Sequence, residues 1–398
     1  MLYLADDRKG TPGLTKILKD YKVALVQDWL TGMRGGEKVL ETLCEMFPEA
    51  PIFTLLHNPG SVSAAIERHP IYKSFIDRLP LKSQRYRSYL PLFPTAVELF
   101  DFSDFDLIIS TSHCVAKGIK TPPHSLHISY LHTPMRYVWD MYDEYFGPEK
   151  TGYFARKIIP FFANYLRMWD VTSSNRVDYF VANSRYVARR IQKYYRREAT
   201  VIHPPVDTES FSPGAKQESF YLIVSALAPY KKIDLAIRVF NRRKTPLVII
   251  GIGPEQKKLR RLADSHIRFL DWADEAVLRN HYAACRALIF PGVEDFGIVP
   301  LEAQSCGKPV VAFGKGGALE TIVGYNGKNE GKCSGIFFPE QTETALNDAL
   351  DLCENLRWDA KFIQQHAQKF SKQNFIQRMN RFISEKTELF EKGERSAP

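Results

Sequence analysis

The strongest constraint on the fold is an alternation of short apolar runs and helix-like segments that occurs twice along the chain. Runs such as residues 22–30 and 126–131 suit buried strands of a parallel sheet. Residues 35–46 carry apolar side chains at helical spacing. The alternation stops at two consecutive prolines at 204–205 and restarts at residues 220–227. We therefore predict two doubly wound α/β domains.

A chain of 398 residues also exceeds what one hydrophobic core usually supports. We predict a first domain over residues 1–205, a second over residues 206–365, and a helical tail over residues 366–398 that crosses back to the first domain. Domains of this class bind ligands at the carboxyl ends of their strands. We expect the two to face each other across a cleft.

The net charge of the chain limits the classes of partner that it is expected to bind. The net charge is +9, from 54 Lys and Arg against 45 Asp and Glu, and residues 1–200 hold +6 of it with 27 basic and 21 acidic side chains. Such a balance suggests nucleic acid, an anionic membrane surface or a phosphorylated substrate. No recognisable nucleic-acid module is present, so we expect no nucleic-acid partner. Ordinary fractions of hydrophobic (44%) and charged (25%) residues exclude a disordered or fibrous chain.

The six cysteines lie far apart and form no C-x-x-C pair. That spacing argues against a disulfide framework or a zinc site and suits a reducing compartment. The first residues, MLYLADDRKG, lack a basic segment followed by an apolar run, and no window of 18 apolar residues occurs. We therefore expect no signal peptide and no membrane span, and we predict a cytoplasmic protein.

The most informative stretch reads PGVEDFGIVPLEAQSCGKPV. Glu294 and Glu302 lie eight residues apart, across a predicted turn and the start of a helix. The backbone amides of Gly297, Ile298 and Val299 would sit at that helix N-terminus, where a phosphate is favoured. Glu302 is placed to accept hydrogen bonds from a ribose diol. The competing interpretation is a helix-capping carboxylate together with a solvated one.

Within this stretch, EDFGIVPLEA resembles the E-x7-E motif of retaining GT-B glycosyltransferases, and most closely glycosyltransferase family 4. Further matching stretches lie along most of the chain: GMRGGE (32–37), DLIISTSH (106–113), YLHTPMR (130–136), VANSRYV (181–187), HPPVD (203–207), SALAPYKKIDL (225–235) and IGIGPE (250–255). The resemblance implies two Rossmann-like domains, the first on the acceptor side and the second binding the nucleotide sugar. The members most similar in pattern are bacterial mannosyltransferase-like enzymes of surface-polysaccharide assembly.

The resemblance implies three catalytic side chains. His113, after the strand DLIISTS, would hydrogen-bond a sugar hydroxyl and shield developing positive charge. Lys231 would neutralise the departing diphosphate, and Glu294 would contact the hydroxyls of the donor sugar. The chain departs from the family at Ala226, where an Arg usually precedes the Lys in an R-L-x-x-x-K pattern. One of two expected phosphate-binding cations is therefore missing.

The remaining site residues fall into two groups. The donor-binding candidates are Gly35, Gly36, Lys232, Gly251, Gly253, Trp272, Phe296, Gly297, Ile298, Val299 and Glu302. The acceptor candidates are His132 and Arg136. For Trp272 we weigh stacking on a nucleotide base against packing in the core. Lys231 and Lys232 are expected to begin a helix.

Two basic stretches leave alternatives open. Residues 153–170 combine aromatic and basic side chains at near-helical spacing, which suits either a membrane interface or a helix packed in the first domain and interrupted at Pro160. Residues 189–197 suit either anionic head groups or a solvated helix face.

The function predicted from these features is a retaining transferase that moves mannose from GDP-mannose to a lipid-linked or polysaccharide acceptor. We expect the reaction to need no metal ion or other cofactor, and the protein to associate peripherally with the inner face of the cytoplasmic membrane. Three alternatives remain: a UDP-sugar-dependent transferase of the same fold, an epimerase, and a non-catalytic protein that binds a nucleotide sugar.

Overall fold

Two units with separate cores make up the computed structural model, which describes residues 21–142, 153–214 and 218–393. Of the described residues, those up to Asn183, Val187–Ile202 and those from Phe375 onward form the first unit. The second comprises Ser184–Tyr186 and His203–Asn374. The predicted boundaries at residues 205 and 365, between the acceptor-side domain, the nucleotide-sugar-binding domain and the helical tail, stay predictions.

The first unit is built on a seven-stranded parallel sheet in the order β3-β2-β1-β4-β5-β6-β7. Its strands are β1 (Val23–Gln27), β2 (Ile52–Thr54), β3 (Ile71–Lys73), β4 (Leu107–Ser112), β5 (Leu126–Leu131), β6 (Tyr179–Ala182) and β7 (Ala199–Val201). Its α-helices are α1 (Gly35–Met46), α2 (Ala64–Glu67), α3 (Lys82–Arg85), α4 (Phe93–Glu98), α5 (Tyr153–Ser174) and α6 (Arg185–Tyr195).

Both faces of this sheet are covered, which is why its strands read as continuous apolar runs. Along β1, Val23 and Leu25 pack into one core cluster, whereas Ala24 and Val26 pack into the other. The first of these clusters also contains Phe375 and three further buried side chains from the last helix of the chain. Because parallel strands share direction, the loops after β1, β4 and β5 emerge at one edge of the sheet.

The second unit repeats the architecture with six parallel strands in the order β10-β9-β8-β11-β12-β13. The strands are β8 (Tyr221–Val224), β9 (Leu247–Ile250), β10 (Ile267–Leu270), β11 (Leu288–Phe290), β12 (Val310–Phe313) and β13 (Gly335–Phe338). The helices are α7 (Ile233–Arg243), α8 (Gln256–Leu262), α9 (Glu275–Ala284), α10 (Ile298–Ser305), α11 (Ala318–Thr321), α12 (Glu343–Asn355) and α13 (Ala360–Gln368), and α14 (Lys372–Glu391) begins here. The predicted α/β class with parallel sheets is confirmed in each unit.

Two local features differ from the sequence-based expectation. The edge strand β3 was not predicted, because its residues are half-buried or exposed and do not form an apolar run. Pro160 does not interrupt α5, which runs through it for 22 residues. Pro160 is exposed, so the hydrogen bond that a proline removes is lost on the solvent side, where a helix can curve outward. Among the helices in the described ranges, none combines the length and apolarity needed to cross a bilayer.

Candidate functional site

An ion pair between Lys231 and Glu294 lies at the carboxyl edge of the sheet in the second unit. Lys231 ends a one-turn 3-10 helix, Pro229–Lys231, in the loop that follows β8. Its ammonium contacts Glu294 Oε1, and the two side chains are only 11% and 25% exposed. Glu294 follows β11, which is the neighbour of β8 in the sheet. The structure thus brings together the two catalytic candidates that the sequence placed in this unit.

The position of Lys232 corrects one detail of the sequence interpretation. The helix α7 begins at Ile233, and Lys232 is its N-cap in the left-handed conformation, at φ 53°. The two lysines therefore precede the helix rather than begin it. Lys232 is exposed, whereas Lys231 is turned toward Glu294.

Three glycines allow the loops around the ion pair to touch. A Cβ on Gly292 would lie 2.9 Å from the Cα of Lys231, and a Cβ on Gly316 would lie 2.4 Å from the carbonyl oxygen of Glu294. Gly317 donates its N–H to that same carbonyl at 2.8 Å. Only a residue without a side chain fits at such distances. These contacts fix the backbone on both sides of the pair.

The predicted turn before α10 is present. Gly297 is the N-cap of α10 and has a φ of 94°, which favours glycine. The amides of Ile298 and Val299 therefore lie in the first turn of the helix, where the helix dipole favours an anion. Phe296 is 4% exposed and stacks on His203 with a ring-centroid distance of 5.3 Å. Packing thus accounts for the burial of the Phe296 side chain. Contact of Phe296 with the donor stays a prediction.

Glu302 lies one turn into α10 and is 7% exposed. Its Oε2 accepts a hydrogen bond from the hydroxyl of Tyr282 at 2.7 Å. Burial, followed by the charge of Glu302, raises the pKa of Tyr282 well above its usual value, so the phenol remains a donor. Tyr282 thereby holds the carboxylate in one orientation. Nothing in the sequence motif signals this partner, because Tyr282 lies on the preceding helix α9.

The remaining donor-binding candidates of the second unit differ in their surroundings. A Cβ on Gly251 would lie 1.9 Å from the carbonyl oxygen of Ser225, and one on Gly253 would lie 2.4 Å from that of Leu227. Both glycines therefore serve a close approach between two loops of the chain itself. Trp272 is 78% exposed, which excludes packing in the core. Contact of these three residues with a nucleotide stays a prediction.

In the first unit, a buried carboxylate organises the loop that carries His113. Asp28, directly after β1, is fully buried. Its two oxygens accept the backbone N–H groups of residues 113, 114, 115 and 116 at 2.6, 3.0, 2.6 and 2.7 Å. The loop after β4 is thereby fastened to the loop after the neighbouring strand β1. The sequence analysis missed Asp28, although a charged residue directly after an apolar strand was the available signal.

The imidazole of His113 sits against the same carboxylate. Its Nδ1 lies 3.1 Å from Asp28 Oδ2, and its ring and that of Trp29 form a T-shaped pair at a centroid distance of 4.4 Å. Burial lowers the pKa of His113; Asp28 opposes that effect, and Arg136 and Arg34 add to it. The ring is therefore neutral at neutral pH. Arg136, an acceptor candidate, thus acts on His113 electrostatically.

The other candidates of the first unit surround the start of α1. A Cβ on Gly36 would lie 3.4 Å from His132 Nε2 and 3.7 Å from Gln27 Nε2. Gln27 is 1% exposed, and its Oε1 accepts a hydrogen bond from Thr111. Its Nε2 has no hydrogen-bond partner among the described residues. Gly35 begins α1 beside this group. A buried amide of this kind is a further candidate that sequence reasoning missed.

The close contact at Gly316 predicts that alanine lowers the stability of the protein more at this position than at Gly327. Gly316 and Gly327 both have positive φ, at 72° and 88°, but a Cβ on Gly327 meets nothing within 4 Å. Gly327→Ala should therefore cost only the left-handed strain, about 1 kcal/mol. Gly316→Ala should cost ~2 kcal/mol more because the backbone of Glu294 must move. Thermal unfolding of both variants measures the difference, and equal midpoints would contradict the packing described for Gly316.

Two family models match consecutive parts of the chain. The model described as Glycosyltransferase Family 4 matches residues 33–210, and the model described as Glycosyl transferases group 1 matches residues 206–375.

Among curated relatives, a GDP-mannose-dependent alpha-(1-6)-phosphatidylinositol monomannoside mannosyltransferase of Mycolicibacterium smegmatis is 32% identical over 181 residues, which cover 37% of this chain and 47% of the relative. The alpha-1,3/1,6-mannosyltransferase ALG2 of Saccharomyces cerevisiae is 28% identical over 246 residues, which cover 46% and 48%. The chain spans about half the length of the curated relatives it matches.

Solved structures resemble the chain over nearly its whole length. Anabaena Alr3699/HepE in complex with UDP and glucose has a TM-score of 0.66 at 18% identity, covering 92% of this chain and 99% of that one. A sucrose-phosphate synthase from Thermosynechococcus elongatus has a TM-score of 0.67 at 15% identity, covering 91% and 98%. At these identities the likeness concerns the fold. The chain belongs to the family 4 glycosyltransferases, and its two parallel-sheet units are the Rossmann-like domains of the GT-B fold.

Proposed function

We propose that this chain is a retaining hexosyltransferase that moves mannose from GDP-mannose to an acceptor on a lipid carrier or a polysaccharide, in bacterial surface glycan biosynthesis. The observation that carries the proposal is the pairing of Lys231 with Glu294, in the same unit as the helix N-terminus at Gly297. A cation and the amides at a helix N-terminus suit a departing diphosphate, whereas a carboxylate suits sugar hydroxyls.

In the proposed reaction, each of these side chains and amides has a defined part. The bond between the anomeric carbon and the diphosphate oxygen breaks, a bond to an acceptor hydroxyl oxygen forms on the same face of the sugar, and the proton of that hydroxyl passes to the departing diphosphate. Lys231 and the amides of residues 297–299 stabilise the negative charge that develops on the diphosphate. Glu294 orients the anomeric carbon through the sugar hydroxyls, and Glu302 holds the ribose. We assign no protein nucleophile.

The choice of GDP-mannose rests on the relatives. The mycobacterial relative is named as GDP-mannose-dependent, and the yeast relative is named as a mannosyltransferase. The solved neighbour is in complex with UDP, but at 18% identity it supports only the fold. A UDP-sugar-dependent transferase of the same fold stays the second candidate. Ala226, which replaces the usual Arg, is the one feature that favours a non-catalytic nucleotide-sugar-binding protein.

We propose further that the reaction needs no metal ion or other cofactor. The positive charge that a metal would supply to the diphosphate comes in this proposal from Lys231 and from the N-terminus of α10. Activity that persists in excess EDTA would support this part of the proposal.

The site model predicts the effect of three substitutions. Lys231→Ala and Glu294→Gln should each lower kcat/KM for mannose transfer on the order of 100-fold, because each removes an interaction with the reacting donor. Lys328→Ala, an exposed lysine of the same unit, is the matched control and should retain activity. Transfer and donor hydrolysis are measured with GDP-mannose and, in parallel, with UDP-glucose. Unchanged turnover in both site variants would exclude the assigned roles, and turnover with UDP-glucose alone would favour the second candidate.

We also propose that one face of α5 rests on the surface of an anionic membrane, where a lipid-borne acceptor would be found. Five large apolar side chains recur at helical spacing and are 40% to 78% exposed: Ile158, Phe161, Phe162, Tyr165 and Met168. A different face of the helix is the packed one, with Ala163 and Leu166 both 2% exposed. A contiguous apolar face of this size usually marks an interaction site.

Charge favours a membrane over other occupants of this face. Between residues 153 and 169 the sequence carries Arg156, Lys157 and Arg167 and no acidic residue. A second copy of the chain would bring these cations against one another. A bilayer with anionic head groups offers an apolar interior and negative charge together.

The second basic stretch, 189–197, is partly engaged inside the first unit. Arg190 is 8% exposed, pairs with Asp140 and donates to Thr133 Oγ1 at 2.6 Å. Arg197 donates to the carbonyl oxygen of Val177 at 2.9 Å. Arg190 and Arg197 are therefore held by groups of the first unit itself, as is Arg167 of α5, which donates to the carbonyl oxygen of Val138 at 2.6 Å.

Vesicle co-sedimentation tests the membrane proposal. The wild-type protein should bind vesicles of phosphatidylcholine with phosphatidylglycerol better than vesicles of phosphatidylcholine alone. Phe161→Asp and Met168→Asp should lose this binding, because both side chains are exposed and each aspartate opposes the apolar face. Leu352→Asp, at a side chain 38% exposed in the second unit, is the control and should bind as the wild type does. Absence of binding to anionic vesicles, or equal binding by all variants, would overturn the proposal.

A further inference from the structure

A fully buried ion pair joins the loop after β4 to the helix α5 in the first unit. Lys117 lies in the one-turn 3-10 helix Ala116–Gly118 that follows β4, and Asp170 lies in α5. The ammonium of Lys117 is 3.0 Å from Asp170 Oδ1, and neither side chain is exposed to solvent. Both charges leave water when the chain folds, and such a burial is costly unless the charges are paired and hydrogen-bonded.

Residues of α5 enclose the ammonium of Lys117. It donates to the backbone carbonyl oxygen of Asp170 and to Ser173 Oγ, both at 2.8 Å. The ring centroid of Trp169 lies 5.2 Å from it. A Cβ on Gly118 would lie 2.3 Å from Cη2 of Trp169, so the backbone next to Lys117 also packs directly on the helix. The end of this loop is therefore held on α5 in one position.

The other carboxylate oxygen of Asp170 holds a second loop. Oδ2 accepts a hydrogen bond from Trp139 Nε1 and one from the hydroxyl of Tyr195, each at 2.8 Å. Trp139 belongs to the segment after β5, which also carries the acceptor candidate His132. One carboxylate therefore fastens two loops to the same helix, the loop of His113 and the loop of His132.

Buried charges hold the loop of His113 at both of its ends. Asp28 accepts the backbone N–H groups of residues 113–116, and the next residue is Lys117. A buried ion pair adds little to stability, because the cost of removing two charges from water offsets their attraction, and apolar side chains of similar size would stabilise the fold as well. Hydrogen bonds have direction, which apolar packing lacks, and they therefore fix where the bonded groups lie.

We propose that Lys117 and Asp170 are positioning residues, which hold the loops of His113 and His132 in a fixed relation at the carboxyl edge of the first sheet. Both side chains are fully buried, so they act through the loops that they hold. The fixed relation places His113 for the donor sugar and His132 for the acceptor. The roles of the two histidines rest on the proposed function, whereas the fixed relation of the two loops does not.

Steady-state kinetics with GDP-mannose separate positioning from stability. Lys117→Met and Trp139→Phe each remove one link to Asp170 and should lower kcat on the order of tenfold, because a displaced loop misplaces its histidine. The KM for GDP-mannose should change less than about twofold, since the proposed donor site lies in the second unit. Ile383→Ala, at a fully buried position of the first unit, is the control: it should lower the melting temperature and, in the folded protein, retain kcat. An unchanged kcat in either folded variant, or an equal loss in Ile383→Ala, would overturn the proposal.

Histidine NMR tests the positions of the two loops without any assay of activity. In protein labelled with nitrogen-15 in histidine, the signals of His113 and His132 are identified by their loss in His113→Gln and His132→Gln. Lys117→Met should shift the signals of His113, Trp139→Phe should shift those of His132, and Ile383→Ala should shift neither. Unshifted signals in both variants would overturn the proposal. Absence of transfer by the wild-type protein would count against the proposed function alone, and the shifts would then decide this proposal. If Lys117→Met does not fold, Trp139→Phe decides it, because that variant keeps the ion pair and loses a single hydrogen bond.

Discussion

The ion pair between Lys231 and Glu294 is the interaction on which the candidate donor site depends. Two mostly buried charges are costly unless they are paired, so the loops after β8 and β11 must bring them into contact. Gly292 and Gly316 make this possible, because a side chain at either position would collide with the backbone that carries the pair. The same pair explains how the site is used in our proposal: a donor diphosphate competes with Glu294 for Lys231 and thereby frees the carboxylate for the sugar.

In the first unit, two neighbouring loops are joined by hydrogen bonds to a buried carboxylate instead of by an ion pair. Asp28 follows β1 and binds the backbone of residues 113–116, which follow the neighbouring strand β4. Lys231 and Glu294 likewise follow neighbouring strands, β8 and β11. In both units a buried charged group ties together two adjacent loops at the carboxyl edge of a parallel sheet, which is where ligands bind in this class of fold. The functional side chains are thus positioned by the loops, while the sheets supply the rigid edge.

A structural feature could be predicted from the sequence when a local pattern of residues encodes it. Apolar runs and helical spacing are local, so the strands and most long helices were predictable, as was the turn at Gly297. The exposed edge strand β3 carries no such pattern, and the exposure of Pro160 cannot be read from its neighbours in the sequence. The partners of Glu302 and His113 are Tyr282 and Asp28, which lie 20 and 85 residues away. Contacts at that separation leave no local pattern, and only the fold brings them together.

The central claim is that Lys231 binds the diphosphate and that Glu294 neutralises it when no ligand is bound. Calorimetric titration of GDP, with UDP in parallel, into the wild-type protein, Lys231→Ala and Glu294→Gln tests this directly. Lys231→Ala should weaken binding at least about tenfold, since a charged hydrogen bond is lost and Glu294 then faces the phosphates unpaired. Glu294→Gln should bind the nucleotide as tightly as the wild type or more tightly, because Lys231 is released. Equal loss of affinity in both variants, or no loss in Lys231→Ala, would contradict the account.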